Sequence, residues 1–224
     1  MAVPSARRGA GRPKRRVLSR RLILETGLRL MDAHGVDRAG MRAIADELGV
    51  RPSSLYNHVA GTADLIAGVR ELISDRIDTG VFAAAPWDAA LEAWARSYRS
   101  AFAAHPPTIA LLAVTPLAER SDTTRMYDAV VAGLVRAGWP PERVLTVIVA
   151  LESFILGSAL DYEAADDMFE PGPRADVPAF TAAYRARERA LAASGTRPAD
   201  AAFELGLRAL VSGLRAEHAA LTRG

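Results

Sequence analysis

The chain has 224 residues, a mass of 23.9 kDa and a hydrophobic share of 50%, enough to bury a substantial core in one large domain or two small ones. It contains no cysteine, which excludes a disulfide framework, a thiolate metal site and a cysteine nucleophile, and fits a reducing, cytoplasmic setting. The net charge of +2 hides an uneven division: residues 1–80 carry 14 basic against 9 acidic side chains, and the remainder is acidic on balance. The basic N-terminus precedes no apolar run of signal-peptide type. The longest near-apolar stretch, residues 144–160, has 17 residues and is interrupted by Glu152, short of the roughly 20 that a bilayer span needs. No membrane partner is expected.

In chain order, the first 21 residues hold eight basic side chains and no acid, among Gly and Pro that oppose local folding. Residues 1–17 are expected to be a disordered basic arm for a polyanion, with Lys14, Arg15 and Arg16 as phosphate contacts. Gly11-Arg12-Pro13-Lys14 is similar to the Gly-Arg-Pro core of minor-groove hooks. From Leu18 onward the hydrophobic period is helical and no stretch alternates as a strand does, so an all-α fold is expected. Ser19 caps a first helix that ends at Gly35. MRAIADEL, residues 41–48, is a short second helix ended by Gly49, and Pro52 opens a third over 52–58. Thr62 is expected to cap a fourth helix running to about Gly80. Longer helices follow at about 87–104, 123–137, 141–165, 179–194 and 199–221, with a short piece near 107–113. The composition step near residue 80 divides an N-terminal domain, 18–80, from a larger α-helical one, 81–224.

A short helix, a tight glycine turn and a second short helix form a helix-turn-helix, whose second helix enters the major groove. Ala45, four residues before Gly49, lets the two helices approach, and Ile44, Leu48, Val50, Leu55 and Val59 seat them on the first helix. If Leu55 and Val59 face inward, Ser53, Ser54, Tyr56, Asn57 and His58 lie wholly or partly outside. Hydroxyls, an amide, a phenol and an imidazole can read base edges and hold phosphates.

Through MRAIADELGV and SSLYNHV, with Leu55, Tyr56 and His58 most telling, residues 18–80 resemble the DNA-binding domain of the TetR family of bacterial transcription regulators. LAVTP (112–116), the Arg-Ala-Gly-Trp turn (136–139) and SFILGSAL (153–160) are similar to the ligand-binding and dimerisation region of the branch containing the tetracycline repressor. The resemblance implies a dimeric regulator, a repressor in most cases, released from a near-palindromic duplex operator by a small molecule. It implies base or phosphate contact at Arg42, base contacts at Ser53, Ser54 and Asn57, and phosphate contacts at Tyr56 and His58. Thr62 stands where lysine is frequent, and Gly40 where a Thr or Ser cap is usual, so the second helix is expected to start less firmly.

Residues 144–151, VLTVIVAL, are apolar on every side, as in a helix buried on more than one face. With the last helix they are expected to form a dimer interface through Val147, Leu151, Phe203, Gly206, Leu210, Gly213 and Leu214. An aromatic stripe on the helix beginning at Trp87, with Trp94, Tyr98, Phe102 and His105, together with Tyr127, Phe154 and Asp161, suggests a largely apolar ligand pocket. Leu111 stands where the tetracycline repressor has a metal-linked histidine, so no metal and no cofactor are expected. The four histidines are far apart and no phosphate-cradling glycine loop or nucleophile elbow is present, which argues against an enzyme. The rival to a regulator is an all-helical carrier or interaction protein whose arm binds polyanions without sequence preference.

Overall fold

The computed structural model describes residues 17–117 and 121–223. Helix α1 spans Arg20–His34, with the Ser19 hydroxyl accepting from the Leu22 N–H and Gly35 ending it at φ +82°. Helices α2 (Met41–Leu48), α3 (Pro52–Leu55) and α4 (Thr62–Ser74) complete the N-terminal group. They are followed by α5 (Val81–Ala84), α6 (Trp87–Ala103), α7 (Ile109–Val114) and α8 (Asp122–Arg136), and then by α9 (Pro141–Asp161), α10 (Pro178–Ser194) and α11 (Pro198–Leu221). Prolines stand at or near the first helical position of α3, α9, α10 and α11, where a missing N–H costs little. The fold is all-α, with no strand among the described residues.

Several details depart from the sequence expectation, among them α9, which ends at Asp161 instead of about 165. Helix α4 stops at Ser74 instead of about Gly80, because the chain after it is held by tertiary bonds. The Asp78 N–H donates to the Ser97 hydroxyl on α6, and the Asp78 carboxylate accepts from the Gly80 N–H. The short α5, absent from the periodicity, forms where Phe82 turns into the core. Thr62 makes no cap bond; Gly61 occupies the N-cap and Thr62 is already helical. As expected, α2 begins at Gly40 without a side-chain cap.

Packing is continuous from the N-terminal helices into α6, α9 and α11. Ile23, Leu24 and Leu28 of α1 meet Ile44 of α2, Leu55 of α3 and Leu65 and Val69 of α4 in one small core. That core joins a larger one centred on α6, whose Leu91, Trp94 and Tyr98 are buried against Val144, Ile148, Leu151 and Ile155 of α9 and Phe203 and Leu207 of α11. Helix α9, at 21 residues, is long and apolar enough to cross a bilayer, contrary to the estimate from the 17-residue run. Its apolarity is spent otherwise: one side is core, while Leu145 and Val149 on the other remain 61% and 57% exposed.

Glycine 133 on α8 is where α5 docks. A β-carbon there would lie 2.6 Å from Cδ1 and 2.9 Å from Cβ of Phe82. Gly133→Ala is expected to lower unfolding free energy by about 1–3 kcal/mol through overpacking, read as a lower urea midpoint with an unchanged slope.

Candidate functional site

The turn between α2 and α3 is built on Gly49, whose φ of +65° an L-residue adopts only with strain. The N–H groups of Gly49 and Val50 donate to the carbonyls of Asp46 and Ala45, closing the end of α2 and redirecting the chain. Helix α3 has four residues. It is followed by a turn in which the His58 and Val59 N–H groups both donate to the Leu55 carbonyl at 2.9 Å. Tyr56, Asn57 and His58 therefore ride on a turn that continues α3, rather than on regular helix over 52–58.

The inward and outward division is nonetheless the one helical spacing gives. Leu55 and Val59 are fully buried, Ser53, Tyr56, Asn57 and His58 are exposed, and Ser54 is half-buried. Arg42 on α2, Arg51 before α3 and Thr62 at the start of α4 are exposed beside them. The result is one surface carrying cations, hydroxyls, an amide, a phenol and an imidazole, with donors and acceptors for base edges and phosphates. Lys14, Arg15 and Arg16 lie outside the described residues.

An ion pair missed by sequence reasoning fixes this surface. Arg20, counted among the charges of the N-terminal segment, pairs with both oxygens of Asp64 at 2.8 Å, and a weaker bond from its Nη1 reaches the His58 carbonyl at 3.4 Å. Asp64 also accepts from the Ala60 N–H at 2.8 Å. One carboxylate thus ties the start of α1 to the junction between residues 52–58 and α4. The signal was available: Asp64 stands three residues after the N-cap Gly61, where an acid can reach back to a free N–H.

The predicted ligand residues divide. Tyr98, Phe102 and Tyr127 line a cavity of about 140 Å³ enclosed by α4, α6, α7, α8 and α9. It also contains Arg70 and Glu152, neither of which the sequence reading selected. The Tyr127 hydroxyl donates to Glu152 at 2.5 Å. Burial, followed by the neighbouring carboxylate, pushes the Tyr98 and Tyr127 phenols far above their ordinary range, and burial raises the Glu152 carboxyl. Arg70, 7% exposed, donates to the carbonyls of Leu112, Thr115 and Pro116, the end of α7 and the residues just beyond it.

The other expected ligand residues lie elsewhere. Trp94 is sealed in the core, edge-on to Tyr98. Phe154 stacks on Phe203 at 5.5 Å on the other side of α9, and Asp161 is exposed at that helix's end. His105 bridges the two parts of the chain. Its Nδ1 is 2.8 Å from Asp32 on α1, and its Nε2 is 3.1 Å from the Arg76 guanidinium just after α4. Since a guanidinium only donates, Nε2 accepts and Nδ1–H donates to Asp32.

Of the residues expected at a dimer interface, Val147, Leu151 and Phe203 are buried within the subunit, where they fasten α9 and α11 to α6. Gly206, Leu210, Gly213 and Leu214 line an open apolar groove of about 590 Å³ together with Ala150, Phe154 and the inner edge made by Leu151.

The family models agree with this architecture. Residues 23–69 match the bacterial regulatory proteins of the tetR family, and residues 83–218 match the tetracyclin repressor-like C-terminal domain. The chain belongs to the TetR family of bacterial transcriptional regulators. An HTH-type transcriptional regulator of Saccharopolyspora erythraea is 28% identical over 205 residues, covering 89% of this chain and 86% of the relative. The class A tetracycline repressor from transposon 1721 of Escherichia coli is 29% identical over 196 residues, covering 86% and 88%. Apo ActR of Streptomyces coelicolor shares the fold with a TM-score of 0.70 at 24% identity, covering 90% of this chain and 97% of its own. TetR-family regulators bind DNA.

The Arg20 hydrogen bond holds the Asp64 carboxyl below its usual 3.8. A depressed folded-state value stabilises the native state above the unfolded value, and that contribution disappears as pH falls through the folded one. Asp64→Asn is therefore expected to unfold earlier in urea than wild type at pH 6, with the difference shrinking below about pH 4. A midpoint difference that is the same at pH 3 and pH 6 would show that the pair's charge is not used.

Proposed function

We propose that the protein is a homodimeric repressor that binds a near-palindromic duplex operator and leaves it when a small, largely apolar effector occupies the Tyr98–Phe102–Tyr127 cavity. The observation that carries this reading is Arg70. It sits on α4, directly downstream of the recognition segment, yet its guanidinium is fastened to the end of α7, which walls the cavity. A ligand that moves the end of α7 acts on α4, and through Asp64 and Arg20 on the recognition surface. The shift it can cause is limited by its differential affinity for the two arrangements. Structures sharing this fold hold actinorhodin in ActR and minocycline in a TetR variant of Acinetobacter baumannii, which supports reading the second domain as the sensor.

Pairing is supported by surface that one subunit leaves bare. Leu145, Val149 and Leu210 are exposed, and a β-carbon on Gly213 would meet nothing within 4 Å. Helix α10 has no buried residue at all. An apolar face of this extent marks an interaction site, and a second copy supplies a matching face by twofold symmetry. Two reading heads then address half-sites about 34 Å apart, one turn of DNA. Division at residue 80 follows: 18–80 reads DNA, 81–224 pairs and senses, and Lys14, Arg15 and Arg16 add phosphate contacts beyond the head.

Selection from a random duplex library at about physiological salt is expected to enrich an inverted repeat, where specific binding far exceeds non-specific. On that operator, Arg42→Ala should cost about 1–3 kcal/mol and relax one position per half-site, whereas Tyr56→Phe should weaken binding evenly across sequences. Wild-type affinity and specificity in both variants would disprove the contact assignment. Val149→Glu with Leu210→Glu should convert a dimer to a folded monomer in sedimentation velocity at micromolar concentration; a dimer in both would place the interface elsewhere.

A further inference from the structure

Resting on the reading of the tyrosine-lined cavity as the effector site, we propose that it selects an uncharged or cationic aromatic ring bearing a hydrogen-bond donor, with Glu152 as the acceptor, and rejects carboxylate ligands. Size comes first. A cavity of about 150 Å³ takes one benzene ring, and this one is about 140 Å³. Tyr98 and Phe102 stack at 5.0 Å and 16° along its wall, and Leu112 and Leu156 add apolar surface. One six-membered ring fits here, and a larger effector leaves its remainder toward the exposed Ala113 and Leu117.

Polarity follows from counting donors. Arg70 turns three N–H groups onto carbonyls at the end of α7. The Thr115 hydroxyl donates to Leu111, the Thr123 hydroxyl to Ser74, and the Tyr127 hydroxyl to Glu152. These donors are engaged, which leaves an entering anion only two of the five Arg70 N–H groups and the Ser74 hydroxyl. Acceptor capacity remains. A carboxylate offers about four lone-pair sites, and the only phenols beside Glu152 among the cavity residues are Tyr127 and Tyr98, which take at most two. A second carboxylate would add negative charge where it is least tolerated, while a phenolic O–H or an ammonium completes the acceptor side. Arg70 faces the same carboxyl and offsets part of its charge, which is why uncharged donors are accepted alongside cations.

The test is calorimetry on the full-length protein at pH 7 with four one-ring probes: phenol, benzylammonium, benzoate and toluene. Phenol and benzylammonium are expected to bind at least tenfold more tightly than benzoate, with toluene between. Glu152→Gln should keep phenol binding within a few-fold, because the amide oxygen still accepts, and should abolish the preference for benzylammonium over benzoate. Benzoate binding as tightly as phenol to wild type would overturn the proposal; should Glu152→Gln fail to fold, that wild-type ranking decides alone. Leu156→Trp fills the cavity and locates the probes. Probes that bind this variant as they bind wild type sit elsewhere, which overturns the effector-cavity reading and the proposal with it. Probes lost in the variant but ranked in favour of benzoate overturn the donor preference only.

Discussion

A guanidinium with almost no exposure needs partners, because its charge cannot be left in an apolar interior without a desolvation penalty of several kcal/mol. Arg70 finds them at the end of α7, where helix carbonyls lack intrahelical donors and carry the negative end of the dipole. Each side thereby satisfies the other: α7 gains donors for its orphan carbonyls and α4 gains a place for its charge. The remaining architecture follows from this bond set, since it makes the position of α4 depend on where α7 ends. Helix α4 carries the junction to residues 52–58 at its other end, where Asp64 binds Arg20 and the Ala60 N–H.

A second connection runs parallel to the first. His105, on the loop after α6, holds Asp32 of α1 and receives Arg76 from the end of α4. The N-terminal helices are therefore fastened to the rest by the carbonyls around Arg70 and by this imidazole, besides the Asp78–Ser97 and Ser74–Thr123 bonds. Hydrogen bonds are directional and lose strength quickly when stretched, so such contacts resist sliding more sharply than the apolar packing between them.

Local chemistry was legible in the sequence and tertiary reach was not. Ser19, Gly49 and Pro52 announce helix ends through their own backbone preferences, and the outward set at 53–58 follows from the inward Leu55 and Val59. The early end of α4 was hidden because Asp78 is held by Ser97, a partner on another helix. On α6 the period places Trp94, Tyr98 and Phe102 on one face, but period gives a direction and not a depth. Trp94 meets packed core, while Tyr98 and Phe102 meet a cavity. Phe203 and Gly206 are three residues apart on α11, yet the first is sealed inside the subunit and the second lies in an open groove under Phe154. Arg70 and Glu152 were missed because a charge in a helical pattern is ordinarily a solvated one. The signal for Glu152 was its position as the lone charge within the apolar run 144–160.

The distribution of apolar surface has its own logic. A helix buried on every side within one subunit cannot also form an interface, and a helix with one polar face needs none. Helix α9 is neither: Val144, Ile148, Leu151 and Ile155 are spent on α6, and Leu145 and Val149 remain outside. Next to them α11 presents small residues at 206 and 213, and glycine inside a helix costs about 1 kcal/mol against alanine. At Gly206 the compensation is visible, since a β-carbon would collide with the Phe154 ring at 2.5 Å. At Gly213 nothing within the subunit uses the space. A contacting backbone or ring from a second copy would use it, and would bury Leu210 and Val149 in the same step. On the proposed pairing, the cost at Gly213 and the exposure of α9 have one common explanation.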